Sequence, residues 1–274
     1  MIYKVRLLKK ILKIVWLEFY AGGCLTRAAS LAYTTLLCLV PLATVSFYVF
    51  TAFPTFKDLG AQIQDFIFSN FVAEAAKVVG QYMQTFINQA GKLSVFGMVF
   101  LLGTAVLLVF SMEQIFNAIW HVKRNRHGVT AFLLYWAVIT LIPIAIGMVF
   151  VLNEYFWRLP FLASSNLAHF RQIMALCVPY IATFIAFLLL YQALPNCKVP
   201  VKSAMLGALV ATILFELSRR AFALYILNFA TYQLIYGALA AMPVFLVWLY
   251  ISWVVVLFGA VVNYVLADQF QKCA

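Results

Sequence analysis

The residues best placed to do chemistry form one short cluster, Glu216, Arg219 and Arg220, within Phe215-Glu216-Leu217-Ser218-Arg219-Arg220. Spacings of three and four put the carboxylate and both guanidinium groups on one side of a helix, with the acid N-terminal to its partners. Arg219 lies sixteen residues beyond Ser203, about 24 Å along a helix rising 1.5 Å per residue. If that helix spans a bilayer from Ser203, the cluster lies in the outer half of the membrane. A charge at the bilayer centre costs about 2.5–3.5 kcal/mol on insertion scales, more than the roughly 0–1 kcal/mol returned by an exposed ion pair. Two readings compete: a transport or lipid-contact site, because ions inside a membrane are functional candidates, or an interfacial anchor whose arginines snorkel to lipid phosphates.

A second polar group is Glu113, Gln114 and Asn117. Glu113 and Asn117 are four apart and share a helix face. Arg27 stands at a similar depth near the start of another apolar run, so an Arg27–Glu113 pair across helices is expected. With Asn117 it would make an inner polar clamp or border an inner cavity. Ser203, Gly207, Ala208 and Ala211 form a small-residue face suited to close helix packing.

Enzymatic readings find little support. His121, His127 and His169 lie in loops, with no HExxH and no ligand pair beside an acid. GxSxG and P-loop motifs are absent, and eight acids scattered over the chain do not gather the carboxylates that metal-assisted nucleic-acid hydrolysis needs. The five cysteines, Cys24, Cys38, Cys177, Cys197 and Cys273, are odd in number and irregularly spaced. They suggest apolar packing residues, with neither a disulfide framework nor a zinc site. The expectation is a non-enzyme with no metal and no cofactor.

The elements that must carry these residues follow from composition. Of 274 residues, 66% are apolar and 10% charged, with a mean hydropathy of +1.01. Soluble domains carry about 25% charged residues, so the bilayer has to be the main solvent. The expected fold is all-α, a polytopic transmembrane helical bundle. Its spans are expected near 28–53, 93–119, 131–156, 173–194, 203–229 and 238–267, which leaves no room for a separate soluble domain. The split between the last two spans rests on Thr231-Tyr232-Gln233. Residues 55–92 show polar–apolar alternation at helical period, through Phe56, Leu59, Ile63, Phe66, Phe71, Val78, Tyr82 and Phe86. They predict periplasmic amphipathic helices outside the hydrocarbon core.

The net charge of +11 does not describe a nucleic-acid footprint, because the cations sit at the ends of apolar runs. Twelve Lys and Arg fall on the side of the N-terminal segment and five on the other, with Arg219 and Arg220 left out. That imbalance puts both termini in the cytoplasm, and Trp16, Trp120 and Trp157 fall near the expected interfaces. Residues 1–26 are basic and apolar. Although Ala21-Gly22-Gly23-Cys24 resembles a lipoprotein cleavage site, Lys9, Lys10, Lys13 and Glu18 interrupt any signal-peptide h-region. Val5, Leu8, Ile11, Leu12, Val15 and Phe19 instead fall at helical spacing. They predict an amphipathic helix lying on the anionic cytoplasmic leaflet, with residues 269–274 as a cytoplasmic tail. The prolines do not pair up as they would in an inverted-repeat transporter.

Three stretches carry a family resemblance: Arg27-Ala28-Ala29-Ser30-Leu31-Ala32-Tyr33 with Leu36, Leu39 and Pro41; Phe116-Asn117-Ala118-Ile119-Trp120 before a basic loop; and Leu194-Pro195-Asn196 with Lys198-Val199-Pro200, Gly207-Ala208, Phe215-Glu216-Leu217 and Tyr236-Gly237-Ala238-Leu239-Ala240-Ala241-Met242-Pro243 through to Trp248-Leu249-Tyr250. In this order they resemble the YihY/BrkB family of bacterial inner-membrane proteins. Cys38, where such proteins often have Ser, is a small departure. The resemblance implies about six spans and no settled activity. Some relatives carry an old label as a tRNA-processing ribonuclease, which the residues here do not support; others are linked to virulence or envelope lipid export. The expected function is a transporter or flippase-like protein for an amphiphilic or anionic solute in the bacterial inner membrane. The alternative is a non-catalytic scaffold or envelope-assembly factor docking partners on residues 55–92. Expected partners are membrane lipids, such a solute, and a second copy or an envelope protein, with no nucleic acid.

Overall fold

A computed structural model describes residues 2–52, 95–122, 168–227 and 241–272. Among them the chain forms six helices and no strand: α1 Ile2–Ala21, α2 Cys24–Ala52, α3 Val95–Ile119, α4 Ala168–Ala193, α5 Val201–Leu227 and α6 Ala241–Lys272. The segments expected at 55–92 and 131–156, and the division at Thr231-Tyr232-Gln233, lie outside the described residues.

Length and composition make α5 and α6 the most membrane-like. Val201–Ile226 and Pro243–Asp268 are long and apolar enough to cross a bilayer, and only 28% and 33% of their apolar windows are buried in protein. A core helix of a soluble protein would be mostly covered; here α5 leaves Leu209, Ile213, Leu217 and Leu224 exposed, and α6 leaves Phe245 and Val247 exposed. Apolar runs at Val106–Ile119 and Tyr180–Ala193 mark α3 and α4.

The helix breaks have local causes. Gly23 adopts φ 60° and its N–H bonds Tyr20 O at 3.0 Å, closing α1 in the left-handed conformation that glycine adopts most cheaply. At the end of α3 the same geometry falls on His121, with φ 52°. Val122 N bonds Asn117 O at 2.8 Å and His121 N bonds Ala118 O at 3.2 Å, the paired bonds of a Schellman cap.

The chain divides into two compact units. The first comprises Met1–Leu36, Phe110–His127 and Gln172–Ala274; the second comprises Leu37–Val109 and Gly128–Arg171. Within the second, the Cys38 thiol donates to Thr104 O at 3.1 Å.

In the first unit, α5 packs along α6 through small residues. Ser203, Ala204, Ala208 and Ala211 are fully buried. A Cβ on Gly207 would lie 2.8 Å from both Gly259 O and Asn263 Cβ, so the two backbones touch and only glycine fits. Tyr191 of α4 wedges into the same seam and donates its hydroxyl to Val256 O at 2.9 Å. Trp253 Nε1 donates to Thr35 Oγ1 at 3.0 Å, which ties α6 to α2.

α1 also belongs to this unit and differs from the sequence expectation. Val15 and Phe19 are buried, and Phe19 meets Phe258 of α6 edge-on with ring centroids 5.5 Å apart. Val15 and Phe19 of the apolar stripe therefore cover protein, while Leu12 of the same stripe stays exposed. α6 offers an apolar flank that would otherwise stay open, and Val15 and Phe19 cover it.

Candidate functional site

The structure builds the acid–arginine cluster from α5 and completes it from α4. Arg219 grips Glu216 with two bonds, Nη2 to Oε1 at 2.7 Å and Nε to Oε2 at 3.1 Å. Arg220 Nε reaches Oε1 at 3.2 Å, as the three- and four-residue spacings require. Tyr180, on α4, donates its hydroxyl to Glu216 Oε1 at 3.4 Å and accepts from Arg220 Nη2 at 3.2 Å. One carboxylate thus holds two cations, and the phenol pins the group to a second helix.

Exposure is uneven. The Glu216 side chain is 19% exposed, whereas Arg219 and Arg220 are 60% and 68% exposed. The acid is the covered hub and the guanidinium groups are the outward rim. Two arginines present ten N–H donors; four are used in the bonds just described. Among the described residues the other six have no partner, and the cluster carries a formal charge of +1. Arg220 shares its side of α5 with the exposed Leu209, Ile213, Leu217 and Leu224. Phe215 and Phe222 anchor the stretch from the opposite side, each stacking near Trp248 of α6 at 5.6 and 5.0 Å.

The inner polar group takes a different form from the one expected. Glu113 and Asn117 are both buried and share a 3.4 Å bond from Asn117 Nδ2 to Glu113 Oε1. Asn117 Oδ1 accepts from the backbone N–H of Asn196 at 2.7 Å, so this residue fastens the turn after α4. Arg27 is only half-buried, and no salt bridge joins it to Glu113. A full desolvation of the guanidinium would be needed to reach a sealed carboxylate, and Arg27 retains solvent access instead. Of the expected clamp of Arg27, Glu113 and Asn117, the structure brings Glu113 and Asn117 together on α3.

Two features were not visible as sites in the sequence. Tyr180 lies 36 positions before Glu216, and no local pattern links them. Asn263 is fully buried on α6, with neither its amide nitrogen nor its oxygen hydrogen-bonded among the described residues. Its only sequence signal is a four-residue step from Gly259 on the packed face. Also among the described residues, no three His, Cys, Asp or Glu side chains come together as metal ligands would.

Residues 15–273 match the sequence profile of the family described as Virulence factor BrkB. The chain belongs to the BrkB family. Similar relatives of this BrkB chain are UPF0761 membrane proteins. One from Legionella pneumophila (strain Corby) is 40% identical over 267 residues, covering 96% of this chain and 63% of the relative. Another, from Azotobacter vinelandii (strain DJ), is 43% identical over 243 residues, covering 89% and 60% respectively. This BrkB chain therefore spans about three-fifths of the length of the curated relatives it matches. No solved structure matches it. It is a helical membrane protein of this family, in agreement with the relatives' own description as membrane proteins.

Proposed function

We propose that this BrkB-family protein is a multi-pass protein of the bacterial inner membrane that moves an amphiphilic or anionic solute, in the manner of a transporter or flippase. The observation that carries the reading is the Glu216–Arg219–Arg220–Tyr180 cluster. It is a net-positive rim with six uncommitted N–H donors among the described residues. It sits on a helix long and apolar enough to span a bilayer. Two arginines and one acid are costly to keep at such a place for packing alone. A mobile anion supplies the charge and acceptors that the cluster lacks.

The reading carries a topology with it. Six spans follow from the apolar runs, residues 1–26 and 269–274 lie in the cytoplasm, and residues 55–92 lie in the periplasm. The twelve-to-five distribution of basic residues supports this orientation. No enzymatic step is assigned; the cluster has acceptors and donors but no nucleophile with a placed base.

The test is flux in proteoliposomes, using fluorophore-labelled phosphatidylglycerol and a membrane-impermeant quencher. Wild-type protein is expected to accelerate exchange between leaflets. Arg219→Glu with Arg220→Glu abolishes it while helicity and detergent elution remain unchanged. Equal flux in the double variant removes the cluster from the pathway; no flux in wild type removes the transport reading for this lipid class.

A further inference from the structure

The outward side of α1 carries a second pattern, independent of the arginine cluster. With Val15 and Phe19 buried against α6, the exposed side carries Arg6, Lys9, Lys10 and Lys13 together with Leu12, Trp16, Leu17 and Tyr20. The last four are each 55–57% exposed. The two kinds of residue are segregated along the helix axis. Cations end at Lys13, while Trp16, Leu17 and Tyr20 follow, Trp16 and Tyr20 with ring centroids 5.0 Å apart. From Lys13 to Tyr20 is about 10 Å of helix, and from Arg6 to Tyr20 about 21 Å.

The depth of this side follows from α6. Phe19 is fixed against Phe258, which lies fourteen residues before the end of α6 at Lys272, about 21 Å along the helix. The apolar end of α1 is therefore held beside the uncharged middle of α6, above the end of that helix. A helix resting flat below the bundle does not make this contact. Leu12, Trp16, Leu17 and Tyr20 have hydrocarbon and interfacial character, and four cations are accommodated only where headgroups and water reach them.

We infer that α1 is an oblique wedge in the cytoplasmic leaflet, its aromatic half among acyl chains and its basic half clasping anionic phospholipid headgroups. Charge complementarity commits the occupant: four cations without an intervening acid on the exposed half call for an anionic surface, worth about fivefold in partition for each cation near it. Glu18, the acid of this helix, stands 4.0 Å from His121 at the end of α3 and belongs to the protein-facing side. Assigning the cytoplasmic leaflet rests on the topology proposed above.

The test uses the full chain in phosphatidylcholine vesicles and isolates Trp16 fluorescence as the difference between wild type and Trp16→Phe. Brominated phosphatidylglycerol at a tenth of the lipid is expected to quench Trp16 about fivefold or more efficiently than the same amount of brominated phosphatidylcholine. Replacing Arg6, Lys9, Lys10 and Lys13 by Gln is expected to erase that preference, while quenching by fully brominated phosphatidylcholine persists. Equal quenching by the two lipids in wild type would overturn the anionic specificity. No quenching of Trp16 by any brominated lipid would overturn the wedge. Failure of the topology appears separately: Lys4→Cys labelled in spheroplasts by an impermeant maleimide places the helix in the opposite leaflet, without altering the quenching ratios.

Discussion

At the scale of residues, the cluster on α5 works as a hub with a rim. Glu216 is the hub because its two oxygens receive bonds from Arg219, Arg220 and Tyr180 at once. The i, i+3 and i+4 spacings made the first two partners legible in the sequence, since they depend on helix geometry alone. Tyr180 was not legible, because its partnership depends on how α4 leans against α5. The Arg27–Glu113 pair failed for the complementary reason: similar depth along two helices says nothing about rotation about their axes. Asn117 turned out to serve the backbone of Asn196, a role that its side chain permits but its spacing does not reveal. The Tyr180 bond makes a specific prediction. Tyr180→Phe removes the hydroxyl and keeps the ring, so it should separate hydrogen bonding from packing. A double-mutant cycle of Tyr180→Phe with Arg220→Ala, read from thermal unfolding in nanodiscs, should return a small favourable coupling that shrinks as salt is raised. The coupling is small because Arg220 is largely exposed and its charge is screened. A coupling of zero would mean that the phenol and the guanidinium are neighbours without consequence for stability.

At the scale of elements, α5 packs along α6 through small residues, and Tyr191 of α4 wedges into that seam. The small-residue stripe on α5 was readable from Ser203, Gly207, Ala208 and Ala211, but its partner on α6 was not. Gly259 and Asn263 complete the seam only because the helices cross at that level. The amphipathic stripe of α1 was readable too. That Val15 and Phe19 of the stripe face protein was not, since periodicity marks a buried side without saying what buries it. The seam supplies the next prediction. A Cβ added at Gly259 would run into the Tyr191 hydroxyl and come within 2.8 Å of Ala211 Cβ. Gly259→Ala should therefore destabilise the protein by about 1–3 kcal/mol, the range for overpacking a filled core. Tyr191→Phe alone should cost about 1 kcal/mol by losing the bond to Val256 O. Combined, the two should cost less than their sum, because the second substitution removes the atom that the first one strikes. Strict additivity in chemical or thermal unfolding would show that α4 moves aside freely and does not wedge the seam.

At the scale of the whole molecule, membrane residence was legible from composition because too few polar residues exist to wet a globule of this size. Orientation rests on where the cations fall, and helix geometry by itself cannot supply it: a bundle packs equally well either way up. The cysteines offer a direct measurement of that orientation. Cys197 lies half-buried in the turn between α4 and α5, which the proposed topology places in the cytoplasm. Cys24 is buried at the start of α2, four residues ahead of the span proposed over 28–53. Burial pushes its thiol above the ordinary range, with the opposing pull of the Arg27 charge the smaller effect. A raised thiol pKa lowers the fraction of reactive thiolate at neutral pH, so Cys24 should be slow to react from either side. In a variant with Cys38, Cys177 and Cys273 replaced by Ser, an impermeant maleimide should leave intact spheroplasts unlabelled. Inverted vesicles should label at Cys197 within minutes at pH 7.5, and Cys24 should react only after denaturation. Labelling of Cys197 in intact spheroplasts would invert the bundle. It would also carry α1 and the arginine rim to the opposite leaflets from those proposed, although neither the hydrogen bonds of the cluster nor the packing of α1 on α6 would change.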